Sequence, residues 1–389
     1  MGLGGRLPDM NRYLDKVGNG FADFLAPPPE GVIRFTIGQP DFITPGGIRE
    51  VAIQSLRDGE TSYTRPSGSE ELCRTVARFL DERCGIEVGW EDVVVTPGCK
   101  QALLYALMGL GNPGDEVLLL APAWPTYDAQ IHLVGMTPVH VPTLQPSFHP
   151  DMEALEAAVT KKTKFIFINS PNNPTGAVYT PQETKALVDL AIRHDLWIID
   201  DMIYATMVWS DHPYTSPSTI EGGWERTITI GGWSKSWAMT GWRLGFCAGP
   251  PEAARALHLC QTSAATHVPT FLMKAAAFAL FDDAGRMPMH NAFGERREVV
   301  FEELSKIPQL SVNKPEGAFY IIIDITATGM DDKTFARRAL SEAQVQLIPA
   351  SLMQGGEGYC RISYATNIDN IREGCRRLRQ WLENINEGQ

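Results

Sequence analysis

Short apolar runs alternate with longer segments of helical period between residues 90 and 250. The runs have strand length and are apolar at nearly every position, which indicates strands that are covered on both faces. The longer segments carry apolar residues every three or four positions, as a core-facing helix does. This alternation predicts crossover units and a mostly parallel sheet. The predicted strands are 93–95, 117–120, 164–168, 196–199, 226–230 and 244–247, and the clearest helices are 101–110 and 182–194.

The two ends of the chain have a different pattern. Residues 1–45 are rich in Gly and Pro, and the three consecutive prolines at 27–29 break any helix there. Residues 290–389 mix helical segments with strands such as 318–323. We therefore predict a large domain over residues 46–289 and a smaller α+β domain formed by residues 1–45 and 290–389. The length of 389 residues agrees with this division, since it exceeds what one core usually organises.

The charge balance excludes several classes of partner. The chain has 34 basic and 46 acidic residues, which gives a formal net charge of −12, and its basic residues form no continuous run. Neither nucleic acid nor a membrane is therefore expected as a partner. No signal-peptide pattern opens the chain and no apolar run approaches bilayer length, so we predict a cytoplasmic protein. The seven cysteines lack metal-ligand spacing, which predicts free thiols and no bound metal.

Lys235 lies in the segment with the clearest chemistry. It stands between Ser234 and Ser236, after the strand at 226–230, and Arg243 follows eight residues later. An amine attacks an aldehyde only in its neutral form, and a nearby cation lowers the proton affinity of the amine. Arg243 can supply that field while it clamps a phosphate. Lysines are usually solvated surface residues, so the assignment of Lys235 as a reactive amine depends on motifs elsewhere in the chain.

Two predicted strands lead directly into groups that can bind a ligand. Gly98, Cys99 and Lys100 follow the strand at 93–95 and open a helix. Their backbone N–H groups can bind an anion, and the helix dipole favours a phosphate there. Trp124 follows the strand at 117–120. In open α/β sheets ligands lie at these carboxyl ends of strands.

Polar residues also follow the next two strands. Asn173 lies in the heptad Ser-Pro-Asn-Asn-Pro-Thr-Gly after the strand at 164–168. Asp200 and Asp201 end the strand at 196–199, and Tyr204 comes three residues after Asp201. Near the C-terminus, Arg361 presents a planar fork that matches a carboxylate in geometry.

These motifs, in this order, resemble those of the fold-type I aminotransferases, which use pyridoxal 5′-phosphate, over about residues 31–378. The resemblance implies an α/β fold of type I, with a mostly parallel seven-stranded sheet in the large domain. It implies that Lys235 holds the cofactor as a Schiff base. It also implies that the phosphate is bound by Gly98, Cys99, Lys100, Ser234 and Arg243.

The resemblance assigns further roles around the cofactor ring. Trp124 stacks on the pyridine ring, and Asn173 and Tyr204 reach the phenolic oxygen. The spacing Asp-x-x-Tyr of the family selects Asp201, rather than Asp200, as the carboxylate that faces the ring nitrogen. The chain departs from the family at Met202, where glutamate is usual.

The substrate and dimer assignments come from the same resemblance. Arg361 binds the α-carboxylate, while Gly38, in the segment Gly-Gln-Pro-Asp-Phe, and Asn173 line the substrate pocket. Tyr63 would reach the phosphate of the neighbouring subunit, which implies a homodimer with shared active sites. Gly232 departs from several branches of the family, which carry a phosphate-binding hydroxyl there.

The predicted activity is therefore transfer of an amino group between an L-amino acid and a 2-oxo acid by a ping-pong mechanism. Lys235, Asp201 and Tyr204 are the predicted catalytic residues. Elimination, replacement, annulating or oxidase chemistry on the same fold is the alternative, in an enzyme of a specialised biosynthetic pathway. A transcriptional regulator that binds pyridoxal 5′-phosphate is disfavoured, because the sequence shows neither a helix-turn-helix pattern nor an excess of basic residues.

Overall fold

The computed structural model describes Tyr13 and residues 22–387. The other positions of the predicted small domain, 1–12, 14–21, 388 and 389, lie outside the described residues. The helices are, in chain order, α1 (Ala22–Leu25), α2 (Gly46–Arg57), α3 (Glu70–Cys84), α4 (Cys99–Leu110), α5 (Thr126–Leu133), α6 (Met152–Ala158), α7 (Pro181–Arg193), α8 (Pro251–Ala264), α9 (Met273–Leu280), α10 (Asp283–Ser305), α11 (Asp332–Glu342) and α12 (Ile368–Glu387).

The strands include every run predicted between residues 90 and 250, with ends shifted by one or two residues. They are, in chain order, β1 (Ile33–Arg34), β2 (Val93–Thr96), β3 (Glu116–Ala121), β4 (Thr137–Leu144), β5 (His149–Pro150), β6 (Thr163–Ile168), β7 (Trp197–Asp201), β8 (Thr227–Gly232), β9 (Gly245–Ala248), β10 (Ser311–Val312), β11 (Tyr320–Asp324), β12 (Val345–Gln346), β13 (Ile348–Pro349) and β14 (Tyr359–Ser363).

The central sheet has the order β2-β9-β8-β7-β6-β3-β4-β5. The five strands from β8 to β4 run parallel, whereas β9 is antiparallel to both of its neighbours. This confirms the α/β class and the fold type. Within the described residues the sheet has eight strands rather than the predicted seven. The additional strand is β5, which lies at the edge of the sheet beside β4. It has two residues and pairs antiparallel with Thr143 and Leu144 of β4.

Both faces of the central sheet are covered, which explains its continuously apolar strands. Val117 and Leu119 of β3 pack into a cluster with α4 and α8, while Leu118 and Leu120 pack into a second cluster with α7. Because successive side chains of a strand point to opposite faces, a strand buried on both sides must be apolar throughout.

A second sheet, with the antiparallel order β10-β11-β14-β13, lies in the C-terminal part of the chain. Its core contains residues between 289 and 382, and also Phe35, which is fully buried. Nearby, β1 pairs in parallel with β12 at Ile33 and Val345. The described N-terminal segment is therefore packed with the C-terminal one. Among the described residues, no helix is both long and apolar enough to cross a membrane.

Candidate active site

A cavity of about 1430 Å³ lies at the carboxyl ends of the parallel strands, facing β11 and β14. It brings together most of the predicted site residues from distant parts of the sequence. Of those within the described chain, Gly98 and Tyr63 do not line it. The predicted residues on its wall are Gly38, Cys99, Lys100, Trp124, Asn173, Asp201, Tyr204, Ser234, Lys235, Arg243 and Arg361.

The amine of Lys235 lies in this cavity, just beyond the end of β8. Its Nζ donates a hydrogen bond of 2.5 Å to the carbonyl oxygen of Gly38. Burial lowers the pKa of Lys235 to about 8, and the cations Arg361 and Arg243 act in the same direction. The charges of Cys99 and Asp201 oppose this shift. Roughly a tenth of the amine is therefore neutral at pH 7, far more than for a lysine of ordinary pKa, and attack on an aldehyde requires this neutral form.

The start of α4 and Arg243 form an anion cradle, which we define as residues 98–100, Ser234 and Arg243. Gly98 precedes the helix with φ of 81°, a left-handed conformation that favours glycine, and no side chain caps the helix. A Cβ at Gly98 would lie 2.5 Å from Nη2 of Arg243, so only glycine leaves space there. The N–H of Gly98 is bonded to the carbonyl of Thr96 at 2.6 Å, so Cys99 and Lys100 supply the backbone N–H groups at the start of the helix. Together with the neighbouring guanidinium of Arg243 they suit a phosphate.

Asp201 is the carboxylate at the floor of the cavity. It is 2% exposed, and its Oδ2 accepts a hydrogen bond of 2.7 Å from the hydroxyl of Tyr127. Burial raises the pKa of Asp201 to about 6, although Tyr127, the backbone N–H of Ile203 and Lys235 each favour the ionised form. A carboxylate buried in this way is stabilised by a cationic N–H partner. Tyr127 also packs edge-on against Trp124, with ring centroids 5.5 Å apart.

Asp200 lies outside the cavity, although it is the next residue along β7. Its Oδ2 accepts hydrogen bonds from Tyr214, at 2.5 Å, and from Ser216, at 2.8 Å. Burial raises the pKa of Asp200 to about 7. The two carboxylates therefore have separate environments, which agrees with the choice of Asp201 over Asp200.

Arg361 supplies a buried cation on the opposite wall. It is 4% exposed, and its Nη1 and Nη2 donate to the side-chain oxygen of Asn173, at 3.0 Å, and to the carbonyl of Thr36, at 2.9 Å. Its Nε has no hydrogen-bond partner among the described residues. Burial lowers the pKa of Arg361. A guanidinium that is buried and incompletely bonded is suited to a carboxylate ligand.

Asn169 organises the residues between these two walls. Its Nδ2 donates to the backbone carbonyl of Asp201, at 2.9 Å, and its Oδ1 accepts from the backbone N–H of Asn173, at 3.0 Å. Tyr204 lies beside them, and its hydroxyl is 2.9 Å from that of Tyr320.

Two predicted residues are placed away from the cavity wall. Gly98 lies behind Arg243 and acts through the backbone turn described above. Tyr63 is 90% exposed, and its ring meets His267 edge-on with centroids 5.6 Å apart. Within a single chain Tyr63 therefore contributes nothing to the cavity, and its role across a subunit boundary stays a prediction.

The sequence analysis assigned no role to Tyr127, Asn169 and Tyr320. Each adjoins a recognised motif, since Tyr127 follows Trp124 by three residues and Asn169 immediately precedes the Asn-Pro heptad. Tyr320 ends the segment Pro-Glu-Gly-Ala-Phe-Tyr. Position beside a motif is the only signal available for them, because buried aromatic and amide residues usually have structural roles.

The cavity fits pyridoxal 5′-phosphate group by group. The anion cradle matches the phosphate, the amine of Lys235 matches the aldehyde, and the buried carboxylate of Asp201 matches a protonated ring nitrogen. Trp124 provides an aromatic wall for the ring. The partly bonded Arg361 then remains for a substrate carboxylate.

Comparison with known proteins agrees with this geometry. Residues 30–378 match the family model for aminotransferase class I and II. A probable aspartate/prephenate aminotransferase from Aquifex aeolicus is 38% identical over 362 residues, which cover 91% of this chain and 92% of that protein.

Two solved structures are similarly close. The aromatic aminotransferase from Pyrococcus horikoshii has a TM-score of 0.89 at 38% identity, over 91% of this chain and 96% of that one. The aspartate aminotransferase from Thermus thermophilus with maleate has a TM-score of 0.86 at 34% identity, over 90% and 91%. The chain therefore belongs to the class I and II aminotransferases, a family that uses pyridoxal 5′-phosphate.

Proposed function

We propose that this chain transfers the amino group of a dicarboxylic L-amino acid, such as aspartate or glutamate, to a 2-oxo acid. The observation that carries this choice is a second cation, the side chain of Lys100, which lines the cavity and is separate from the backbone N–H that Lys100 contributes to the anion cradle. Its Nζ lies 5.1 Å from the centroid of the Trp124 ring. Arg361 would bind the α-carboxylate and Lys100 the distal one.

Names of similar proteins support the dicarboxylic choice. The Aquifex aeolicus relative is named for aspartate and prephenate, and the Thermus thermophilus structure was solved with maleate, a dicarboxylate. An aromatic donor is the second candidate. The volume of about 1430 Å³ and the aromatic wall at Trp124 would accept a ring, and the Pyrococcus horikoshii structure is that of an aromatic aminotransferase.

We assign the cofactor contacts as the sequence predicted them. Pyridoxal 5′-phosphate supplies an electron sink that stabilises negative charge at the substrate Cα. The anion cradle would hold its phosphate, Asp201 would pair with its ring nitrogen, and Trp124 would cover its ring. Asn173 and Tyr204 would reach the phenolic oxygen. Tyr127 supports this arrangement, since its hydrogen bond holds the Asp201 carboxylate in place.

Lys235 and Arg361 would have different roles at the substrate, proton transfer for Lys235 and orientation for Arg361. The fork of Arg361 holds the α-carboxylate, which fixes the direction of the Cα–H bond relative to the cofactor ring. The neutral Nζ of Lys235 would take the proton from the substrate Cα and deliver it to the cofactor carbon that carries the aldehyde in the resting form. Its lowered pKa, about 8, suits an amine that must both accept and release a proton.

We also propose a homodimer with shared active sites, in which Tyr63 of each chain completes the phosphate site of the other. Its 90% exposure supports this, since a tyrosine held at the surface by His267 is available to a second chain. The cytoplasmic location stays a prediction.

A donor screen tests the activity and the substrate class together. Aspartate, glutamate and phenylalanine are each mixed with the holoenzyme, and the absorbance of bound cofactor and the release of oxo acid are followed. We expect the aldehyde form to convert to the amine form fastest with a dicarboxylic donor. Ammonia release or oxygen uptake in place of oxo acid would contradict transamination as the reaction of this chain.

Lys100→Met tests the second cation. We expect kcat/KM for aspartate to fall about tenfold or more, because the distal carboxylate loses its charge partner, while that for phenylalanine changes little. Lys185→Met, which removes an exposed lysine paired with Asp189, is the matched control. An equal loss with both donors would place Lys100 with the cofactor and remove the basis for the dicarboxylic choice.

A further inference from the structure

Tyr320, the first residue of β11, connects three parts of the site. Its hydroxyl is 2.9 Å from the hydroxyl of Tyr204, and its ring centroid is 4.7 Å from Cζ of Arg361. It also lies directly against Gly38, where an added Cβ would clash with the Tyr320 hydroxyl. The side chain is 1% exposed and lines the cavity.

The guanidinium of Arg361 lies over the ring of Tyr320. Two hydrogen bonds, to Asn173 and to the carbonyl of Thr36, hold the edge of the guanidinium but leave it free to tilt about that edge. An aromatic ring that packs on the face of a guanidinium restricts this tilt and adds a cation–π attraction. The orientation that a carboxylate would meet is therefore set by Tyr320.

The hydroxyl of Tyr320 determines where Tyr204 can donate. A phenol has one proton to give, and in the proposed site Tyr204 gives it to the phenolic oxygen of the cofactor. In the hydroxyl pair, Tyr320 must then be the donor and the oxygen of Tyr204 the acceptor. A hydroxyl that accepts a hydrogen bond becomes a stronger donor itself.

Both hydroxyls are held in their neutral forms. Burial raises the pKa of Tyr204 and of Tyr320, although the Arg361 cation opposes the shift in each case. The charged groups that act on the pair are Asp201, from β7, and Arg361, from β14. The pair is therefore a hydrogen bond between two neutral phenols.

We propose that Tyr320 is a positioning residue with two separable parts, a ring that fixes the plane of Arg361 and a hydroxyl that directs the proton of Tyr204 towards the cofactor. This inference rests on the proposed roles of Arg361 and Tyr204. It concerns a residue that touches both of them and that sequence motifs did not assign.

Tyr320→Phe isolates the hydroxyl, because it keeps the ring over Arg361. A hydrogen bond from Tyr204 stabilises the form of the cofactor whose phenolic oxygen is more negative, which is the deprotonated form. When Tyr204 becomes a weaker donor, the apparent pKa read from the absorbance of bound cofactor should rise, by roughly half a unit to one unit. The Kd of succinate, a dicarboxylate without an amino group, should change less than about twofold.

Tyr320→Leu and Tyr320→Met remove both the ring and the hydroxyl, so their difference from Tyr320→Phe isolates the ring over which Arg361 lies. We expect the Kd of succinate to rise about fivefold or more in the holoenzyme. Methionine fills more of the space than leucine, so it supplies the same test if the leucine variant does not fold.

Tyr364→Phe is the matched control for the loss of a buried phenol. Tyr364 is fully buried in the same core as Tyr320 but does not line the cavity, and its hydroxyl donates to the carbonyl of Ala318 at 3.1 Å. This variant should titrate and bind succinate like the wild type.

Two results would overturn the inference, namely an unchanged or lowered apparent pKa in Tyr320→Phe or an unchanged succinate Kd in the ring variants. Either one, found alongside an active wild-type transaminase, counts against the role of Tyr320 alone. A wild-type holoenzyme that fails to transaminate any donor counts against the proposed function instead.

Discussion

At the scale of single residues, the chemistry depends on how Lys235 is surrounded. The amine bonds to a backbone carbonyl, that of Gly38, rather than to a carboxylate that would hold it as a cation. Burial and two arginines favour the neutral form, so the lowered pKa follows from position rather than from an unusual side chain. Lys235 can therefore act as a nucleophile and as a base in the same site.

Lys235→Ala removes both of these capacities. We expect the variant to bind pyridoxal 5′-phosphate through the anion cradle and Asn173, but not covalently, and its activity to fall by several orders of magnitude. Borohydride reduction of the wild type, followed by peptide mapping, checks the assignment. A label on any other lysine would show that a different amine holds the cofactor.

Asp201→Asn should separate cofactor binding from catalysis. Asparagine can still accept the hydrogen bond from Tyr127, so the cofactor should stay bound, but no carboxylate then holds the ring nitrogen protonated. We expect kcat to fall by roughly 10²–10³-fold, whereas Asp200→Asn should have a mild effect on kcat. The reverse order of the two effects would mean that the wrong carboxylate of β7 was chosen.

Motif residues could be predicted and their supporting residues could not, for a physical reason. Lys235, Asp201 and Arg361 are charged side chains that would be costly to bury without a function, so their occurrence at strand ends is informative. Tyr127 and Tyr320 are aromatic residues, which enter cores routinely, and their roles depend on contacts with distant segments: a hydrogen bond for Tyr127, and a hydrogen bond and a ring contact for Tyr320. Such contacts arise only when distant segments are brought together.

At the scale of elements, β7 carries two buried carboxylates with different surroundings. Asp201 lines the cavity, while Asp200 is enclosed by Tyr214 and Ser216. Its other oxygen, Oδ1, has no partner among the described residues. Asp200 therefore belongs to the packing behind the site, and its ionisation affects the stability of the fold more than the reaction.

Asp200→Asn should change how stability depends on pH. The pKa of Asp200 is about 7 in the folded chain against an ordinary value of 3.8, so the unfolded state loses this proton first as pH rises. The free energy of unfolding of the wild type should therefore decrease from pH 4 to pH 7. Asparagine has no such proton, and we expect the decrease between pH 5 and pH 8 to be about 2–3 kcal/mol smaller.

Urea unfolding at the two pH values measures this difference. Asp189→Asn, at an exposed ion pair with Lys185, is the matched control and should follow the wild type. The prediction is wrong if the free energy of unfolding depends on pH in the same way in Asp200→Asn and in the wild type. That result would show that ionisation of Asp200 does not destabilise the fold.

The longest strand that sequence analysis did not find is β4, and it breaks the rules that predict strands. The eight-residue strand β4 contains Pro138 and Pro142, which normally argue against a strand. It tolerates them because it pairs along most of its length with β3 alone, while β5 covers only Thr143 and Leu144. The position of β9 between β2 and β8 was also hidden, because strand order depends on contacts between distant segments.

At the scale of the whole molecule, the described ends of the chain meet. Phe35 lies in the same core as buried residues from the segment 289–382, and β1 pairs with β12. The carbonyl of Thr36 accepts a hydrogen bond from Arg361. These contacts support the division into domains of 46–289 and of 1–45 with 290–389, which stays a prediction. They also show why both ends are needed at the site, since one supplies Gly38 and the other Arg361.

The surface around Tyr63 supports the proposed dimer. Exposed apolar side chains, Ile43 at 79%, Leu56 at 49% and Phe278 at 45%, lie in or near α2 and α9. The hydroxyl of Thr270 bonds the carbonyl of Ser62 at 2.7 Å, which fixes the segment that presents Tyr63. Apolar exposure on this scale favours burial against a second chain.

Subunit mixing tests whether each active site is built from two chains. Lys235→Ala and Tyr63→Phe chains are each impaired, but in a heterodimer one site carries both lesions and the other carries neither. A two-fold dimer prepared with two affinity tags should therefore recover about half of the wild-type activity. Lys235→Ala mixed with Lys185→Met is the control, since it measures the activity of one intact site beside one dead one. No recovery after verified exchange, or full activity in a diluted monomer, would show that Tyr63 is an ordinary surface tyrosine and that each chain builds its site alone.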